Sequence, residues 1–207
     1  MRFLRLLTTV SILCFAGPAF AQGWVKFTSE LDRFAIDIPG DGLQMHETTY
    51  ESEYGVIFPA RVYLYEDGGG RYSVTVVDYT DAERIHSERT NKTSADDGSL
   101  YWAVDVLGSI AYAAWNIRKR GGEVTYDAWN YIQRVEGHML QITNVDQSRT
   151  YAGIYLHETR LYILEATVPP GSPPPIIFQQ SLTLLDDEGN TFNYDYIHSP
   201  RLRIGGG

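Results

Sequence analysis

The chain has 207 residues, one cysteine and a formal net charge of −9. That length supplies one well-buried domain, and the charge is the wrong sign for a nucleic-acid binder, whose basic face must displace phosphate counterions. A lone cysteine excludes a disulfide framework and a thiolate zinc site.

The chain opens with MRFLRLLTTVSILCFAGPAFA. Cationic Arg2 and Arg5, a short apolar run and the small-residue exit Ala19-Phe20-Ala21 make this a secretory leader, with cleavage expected after Ala21. The apolar run is about half the roughly 20 residues that a spanning helix needs. Cys14 lies inside the leader, where Leu13 and Ser11 break the pattern of a lipoprotein signal. The expected product is therefore one exported, soluble domain over residues 22–207, periplasmic or extracellular, with no membrane span and a disordered extreme C-terminus. It has no thiol and a formal charge of −11, from 15 basic and 26 acidic residues.

RFAIDIP alternates as a strand with Phe34, Ile36 and Ile38 on one side. ARVYLYEDGGGRYSVTVVDYT reads as two strands around a turn at Gly68-Gly69-Gly70; no helix follows, so the glycines do not form a phosphate loop. The stretch SLYWAVDVLGSIAYAAWNIRKRGG predicts a long helix, because Leu100, Ala103, Leu107, Ile110, Ala114 and Ile117 recur at steps of three and four. Ser94 and Asp97 offer a capping pair upstream. Arg118, Lys119 and Arg120 complement the negative end of the helix dipole, and Gly121 suits a left-handed exit.

Residues 124–168 predict a four-stranded meander with turns at Glu136-Gly137, at Asp146 to Ser148 and around Glu158-Thr159. Pairing residue 156 with residue 161 puts Leu140, Ile142, Ile154, Leu156, Leu161 and Ile163 on one face. Met139, Tyr151, Tyr155, Tyr162 and Leu164 then share the other. Both faces need cover. The long helix suits one, and a C-terminal helix, opened by Ser172 and the prolines after it and carrying Phe178, Leu182 and Leu185, suits the other.

The WVKFTSELDRFAIDIP start, the long middle helix and the finish RLYILEATVP followed by FQQSL resemble exported bacterial proteins of the PsbP-like fold. Leu161, Tyr162, Ile163, Phe178, Ser181 and Leu182 carry the resemblance, which runs in element order over most of residues 24–186. It implies an α+β domain, an antiparallel β-sheet flanked by helices in an α/β/α sandwich. It also implies an accessory role, binding another exported or envelope protein, without a shared active site.

Chemistry is sparse in the sequence. The serine elbow G-x-S-x-G is absent, and His46, His86, His138, His157 and His198 are scattered rather than spaced as zinc ligands. No catalytic residue, metal ligand or cofactor site is assigned. His138 and His157 are placed at hairpin ends that could bring them together near Glu158. Glu165 interrupts an apolar strand, which leaves three readings: it pairs with an arginine, it faces a pocket, or it marks where the sheet loses its cover. Tyr50, Tyr54, Tyr63, Tyr65, Tyr151 and Tyr155 fall on predicted strands, and tyrosine suits both cores and binding grooves. The binding-surface candidates are Tyr151, Tyr155, His157 and Glu165. The leading expectation is a non-catalytic protein-binding domain; the alternatives are a carrier of a small ligand between the sheet and the C-terminal helix, and a carboxylate-dependent hydrolase.

Overall fold

The computed structural model describes residues 23–89 and 100–199. The leader with its exit at Ala21, the capping pair Ser94 and Asp97, and the extreme C-terminus lie outside the described residues. In chain order the elements are β1 (Val25–Ser29), β2 (Phe34–Ile38), β3 (Gln44–Glu51), β4 (Ile57–Asp67), β5 (Gly70–Asp78), α1 (Ala82–Glu88) and α2 (Tyr101–Arg118). There follow β6 (Glu123–Ile132), β7 (Val135–Thr143), β8 (Arg149–His157), β9 (Arg160–Val168), α3 (Ile176–Gln180) and β10 (Thr183–Leu184). Seven strands form one antiparallel sheet in the order β3-β4-β5-β9-β8-β7-β6, and β1-β2-β10 form a smaller one.

The meander has the expected last register, Leu156 opposite Leu161. Because strand side chains alternate, that single pairing sorts the two cores. Leu140, Ile142, Ile154, Leu156, Leu161 and Ile163 meet Ile110, Ala113, Ala114 and Ile117 of α2 on one face. Tyr151, Tyr155, Tyr162 and Leu164 join Phe34, Ile36 and Ile38 on the other. The first meander turn, however, falls at Gln133-Arg134, whose φ values of 47° and 64° are those of a two-residue hairpin, and not at Glu136-Gly137. Gly137 is a strand residue opposite Tyr155. A Cβ there would run into the Tyr155 ring and the Ile154 carbonyl, so this glycine marks a close approach rather than a turn.

The long helix keeps only part of its predicted stripe. Ile110, Ala114 and Ile117 are buried, but Leu100 is 67% exposed, and the inward positions of the first half are taken by Asp105 and Ser109. Gly121 makes the left-handed exit at φ 97°. Tyr54, expected on a strand, sits in the turn between β3 and β4, where the Gly55 amide donates to the Ser52 carbonyl.

The second face is roofed by the small sheet, with α3 beside it. α3 has five residues and ends at Gln180. Leu182 and Leu184 are then buried two residues apart, the period of a strand rather than a helix. Thr183 and Leu184 pair with Ala35 and Phe34 and close the edge of β2.

A polar lock ties this roof to the main sheet. Asp32, in the β1–β2 turn, is fully buried. Its carboxylate accepts from Arg61 Nε at 2.7 Å, from a terminal guanidinium nitrogen of Arg61, and from the Tyr63 hydroxyl at 2.6 Å. The Tyr162 hydroxyl donates to the Asp32 carbonyl at 2.8 Å. The bond to Asp32 holds the Arg61 guanidinium above its ordinary range. Burial, with the same carboxylate, pushes the Tyr63 phenol up to about 12.

Candidate functional site

At one end of the sheet, the first half of α2 and the β8–β9 turn enclose a groove of about 520 Å³. Leu100, Trp102, Ala103, Val104, Val106 and Leu107 form the helical wall, Leu156 lines the sheet side, and Glu158, Thr159 and His198 make a polar end. Leu100 and Val104 are 67% and 50% exposed, so the apolar wall runs on past the groove onto the surface. The sequence carried a signal for it. Six apolar residues in the eight positions 100–107 spread well beyond one stripe, and an all-round apolar helix segment covers something besides its own sheet.

The polar end is held firmly. Glu158 adopts φ 51° in the hairpin turn, and Arg33 donates to its carboxylate at 3.3 Å. Arg33 also pairs with Asp187, so one guanidinium serves two carboxylates. Behind His198, the His157 ring lies 2.7 Å from the Tyr194 hydroxyl, and Tyr194 stacks on His198 at 4.6 Å between ring centroids. This aromatic group fastens the C-terminal stretch whose His198 borders the groove.

Of the residues singled out in the sequence, His157 stands in this second layer, 3% exposed. Tyr151 and Tyr155 are 4% and 1% exposed within the core under the small sheet. Neither ring presents a binding surface, because the small sheet, rather than the expected helix alone, covers them. The same core fills the space between sheet and α3 where the carrier alternative placed its pocket. Glu165 faces α2 and accepts a bond from Arg120 just beyond the helix.

His138 and His157 do not meet. His138 lies opposite Ile154, on the α2 face, whereas His157 shares the parity of Tyr155 on the other. His138 instead joins Arg118 and Asp127: the imidazole is 2.6 Å from Asp127 Oδ1, and Arg118 Nε donates to Asp127 Oδ2 at 2.7 Å. Arg118, with His138 behind it, holds the Asp127 carboxyl below the usual carboxylate range. A depressed folded value contributes stability above the unfolded value, near 4, and loses it as pH falls through the folded value. Asp127→Asn is therefore expected to unfold at lower urea than the parent chain at pH 7, with the gap narrowing as pH falls below the unfolded value. A gap that stays constant with pH contradicts this.

A histidine–aspartate pair is buried between the helices. His86 of α1 lies 2.9 Å from Asp105 of α2, at 6% and 3% exposure. Burial, working against bonds from Ser52 and His86, leaves the Asp105 carboxyl raised. Both Ser52 and His86 bond the same carboxylate rather than each other. The pair does not line the groove. Among the described residues no three acidic, histidine or cysteine side chains are grouped as metal ligands, and no helix is long and apolar enough to cross a membrane.

No protein-family model matches the chain, and no curated protein matches it. The chain is similar to the solution structure of cyanobacterial PsbP (CyanoP) from Synechocystis sp. PCC 6803, at 15% sequence identity and a TM-score of 0.38, over 75% of this chain and 86% of that one. The similarity is one of chain course, at an identity that transfers no residue's role.

Proposed function

We propose that the chain is an exported, non-catalytic accessory domain that seats an apolar, basic-flanked segment of a protein partner in the groove beside the first half of α2. The observation that carries this reading is the continuity of the groove with exposed Leu100 and Val104. An exposed apolar patch contiguous with a concave site is the usual mark of an interaction surface. The Glu158 carboxylate at the polar end, on a chain of net charge −9, favours a cation beside the apolar contact. The leader-like first 21 residues support action after export.

The test uses n-octylammonium and n-octanoate as probes of the groove, followed by methyl chemical shifts. Saturable shifts at Leu107 and Leu156 are expected, with the cation binding severalfold tighter, and Leu107→Glu is expected to abolish the shift at Leu156. No saturable shift there with either probe overturns the reading. A photo-crosslinker at Val104 then identifies the neighbour in the exported fraction, which must carry an apolar run next to lysine or arginine. A second reading, a small apolar ligand, is favoured by the groove's volume, which lies within the range of ligand sites. Native mass spectrometry of the freshly purified protein distinguishes it by a bound small molecule.

A further inference from the structure

The two halves of α2 rest on the sheet differently. The second half packs dry, through Ile110, Ala113, Ala114 and Ile117. The first half turns Asp105 and Ser109 inward, against α1, β3 and the end of β5.

Around those two residues, four buried polar atoms have no hydrogen-bond partner among the described residues: Tyr50 Oη, Tyr79 Oη, His86 Nδ1 and Ser109 Oγ. They belong to one cluster. Ser109 faces Tyr79 and Asn116 faces Tyr50 without reaching hydrogen-bond geometry, Tyr79 and Tyr50 lie close to each other and to Asp105, and His86 bonds Asp105. Phe58 closes one side, packed on Tyr79 at 4.7 Å and on His86 at 5.9 Å. His86, Tyr79 and Ser109 are each more than nine-tenths buried. Native interiors leave few polar groups unsatisfied, and several in one place point to a bound polar molecule.

We propose that this seam is an internal hydration site, with water bridging Tyr50, Tyr79, Ser109 and His86 between the helices and the sheet. The chemistry selects water. Three hydroxyls both donate and accept, and a neutral imidazole nitrogen does one or the other, which matches water's two donors and two acceptors. An anion is excluded by the Asp105 carboxylate beside it. A metal ion lacks a set of three grouped ligands among the described residues. An apolar molecule leaves every one of the four atoms unpaired.

The test pairs a high-resolution crystal structure with thermal unfolding of Tyr79→Phe and Ser109→Ala. A hydrated seam shows density for water within hydrogen-bond distance of at least two of the four atoms. Each variant then removes a bond that water was making, and its Tm falls by roughly 2–4 °C. A dry seam gives the opposite sign, because each variant then removes an unpaired buried hydroxyl and Tm stays or rises. An empty seam overturns the proposal whatever the Tm, and so does density larger than water. Circular dichroism confirms that both variants fold.

Discussion

Replacing Asp32 with alanine is expected to destabilise the fold by about 3–5 kcal/mol, the usual cost of removing one partner from a buried ion pair. Asp32 is 0% exposed, and the Arg61 side chain is 13% exposed. The loss strands a buried guanidinium, whose other acidic partner among the described residues is Asp78 at 3.5 Å. It also unpairs the Tyr63 hydroxyl from its carboxylate, leaving that hydroxyl its contact with Ser29 at 2.8 Å. Arg61→Met combined with Asp32→Leu is expected to recover much of the loss, since the cost lies in the orphaned charge rather than in the missing attraction. Urea unfolding measures both. A single variant within about 1 kcal/mol of the parent, the range of an exposed pair, shows that the network is wet and the lock absent.

Phe178→Ala is expected to cost a similar about 3–5 kcal/mol, the range for deleting a fully buried phenylalanine. Phe178 is 1% exposed and packs edge-on against Tyr72, with ring centroids 5.3 Å apart. α3 is one turn long and has little helical stability of its own. What anchors it is this ring, together with the Gln179 amide donating to the Ala152 carbonyl at 3.3 Å and Arg149 donating to the Ser172 carbonyl. Urea unfolding checks the magnitude, and amide exchange over 176–184 checks its place. Protection there is expected to fall further than in β5 or β9. A cost below about 1 kcal/mol means that the crossing after β9 is only loosely attached to the sheet.

The candidate groove was half legible. The turn at Glu158-Thr159 and the place of Leu156 followed from strand parity, whereas the apolar crowding of residues 100–107, read as a single helical stripe, was a signal left unused. The groove itself was not, because it exists only where the end of α2 overhangs a hairpin more than 50 residues away. Tyr151 and Tyr155 were offered as surface for a related reason. Their alternation fixed a face, but whether that face meets solvent depended on the small sheet that settles over it. Gly137 misled in the opposite direction. A glycine beside a glutamate has the composition of a turn, and only the Tyr155 ring across the strand shows that it is there for room.

Local periodicity was sufficient for the properties that depend on a few neighbouring residues: the strands of the meander, the 156–161 register, the glycine turn between β4 and β5, and the helix that ends at a basic run. Those features follow from backbone geometry and side-chain alternation within a dozen residues. The roof over the second face, the Asp32 lock, the groove and the buried cluster around His86 were settled by tertiary structure alone. Arg61 and Asp32 are 29 residues apart, and Tyr162 reaches Asp32 across 130. No short-range pattern encodes such a meeting. It arises once burial of both sheet faces has set the order of the strands.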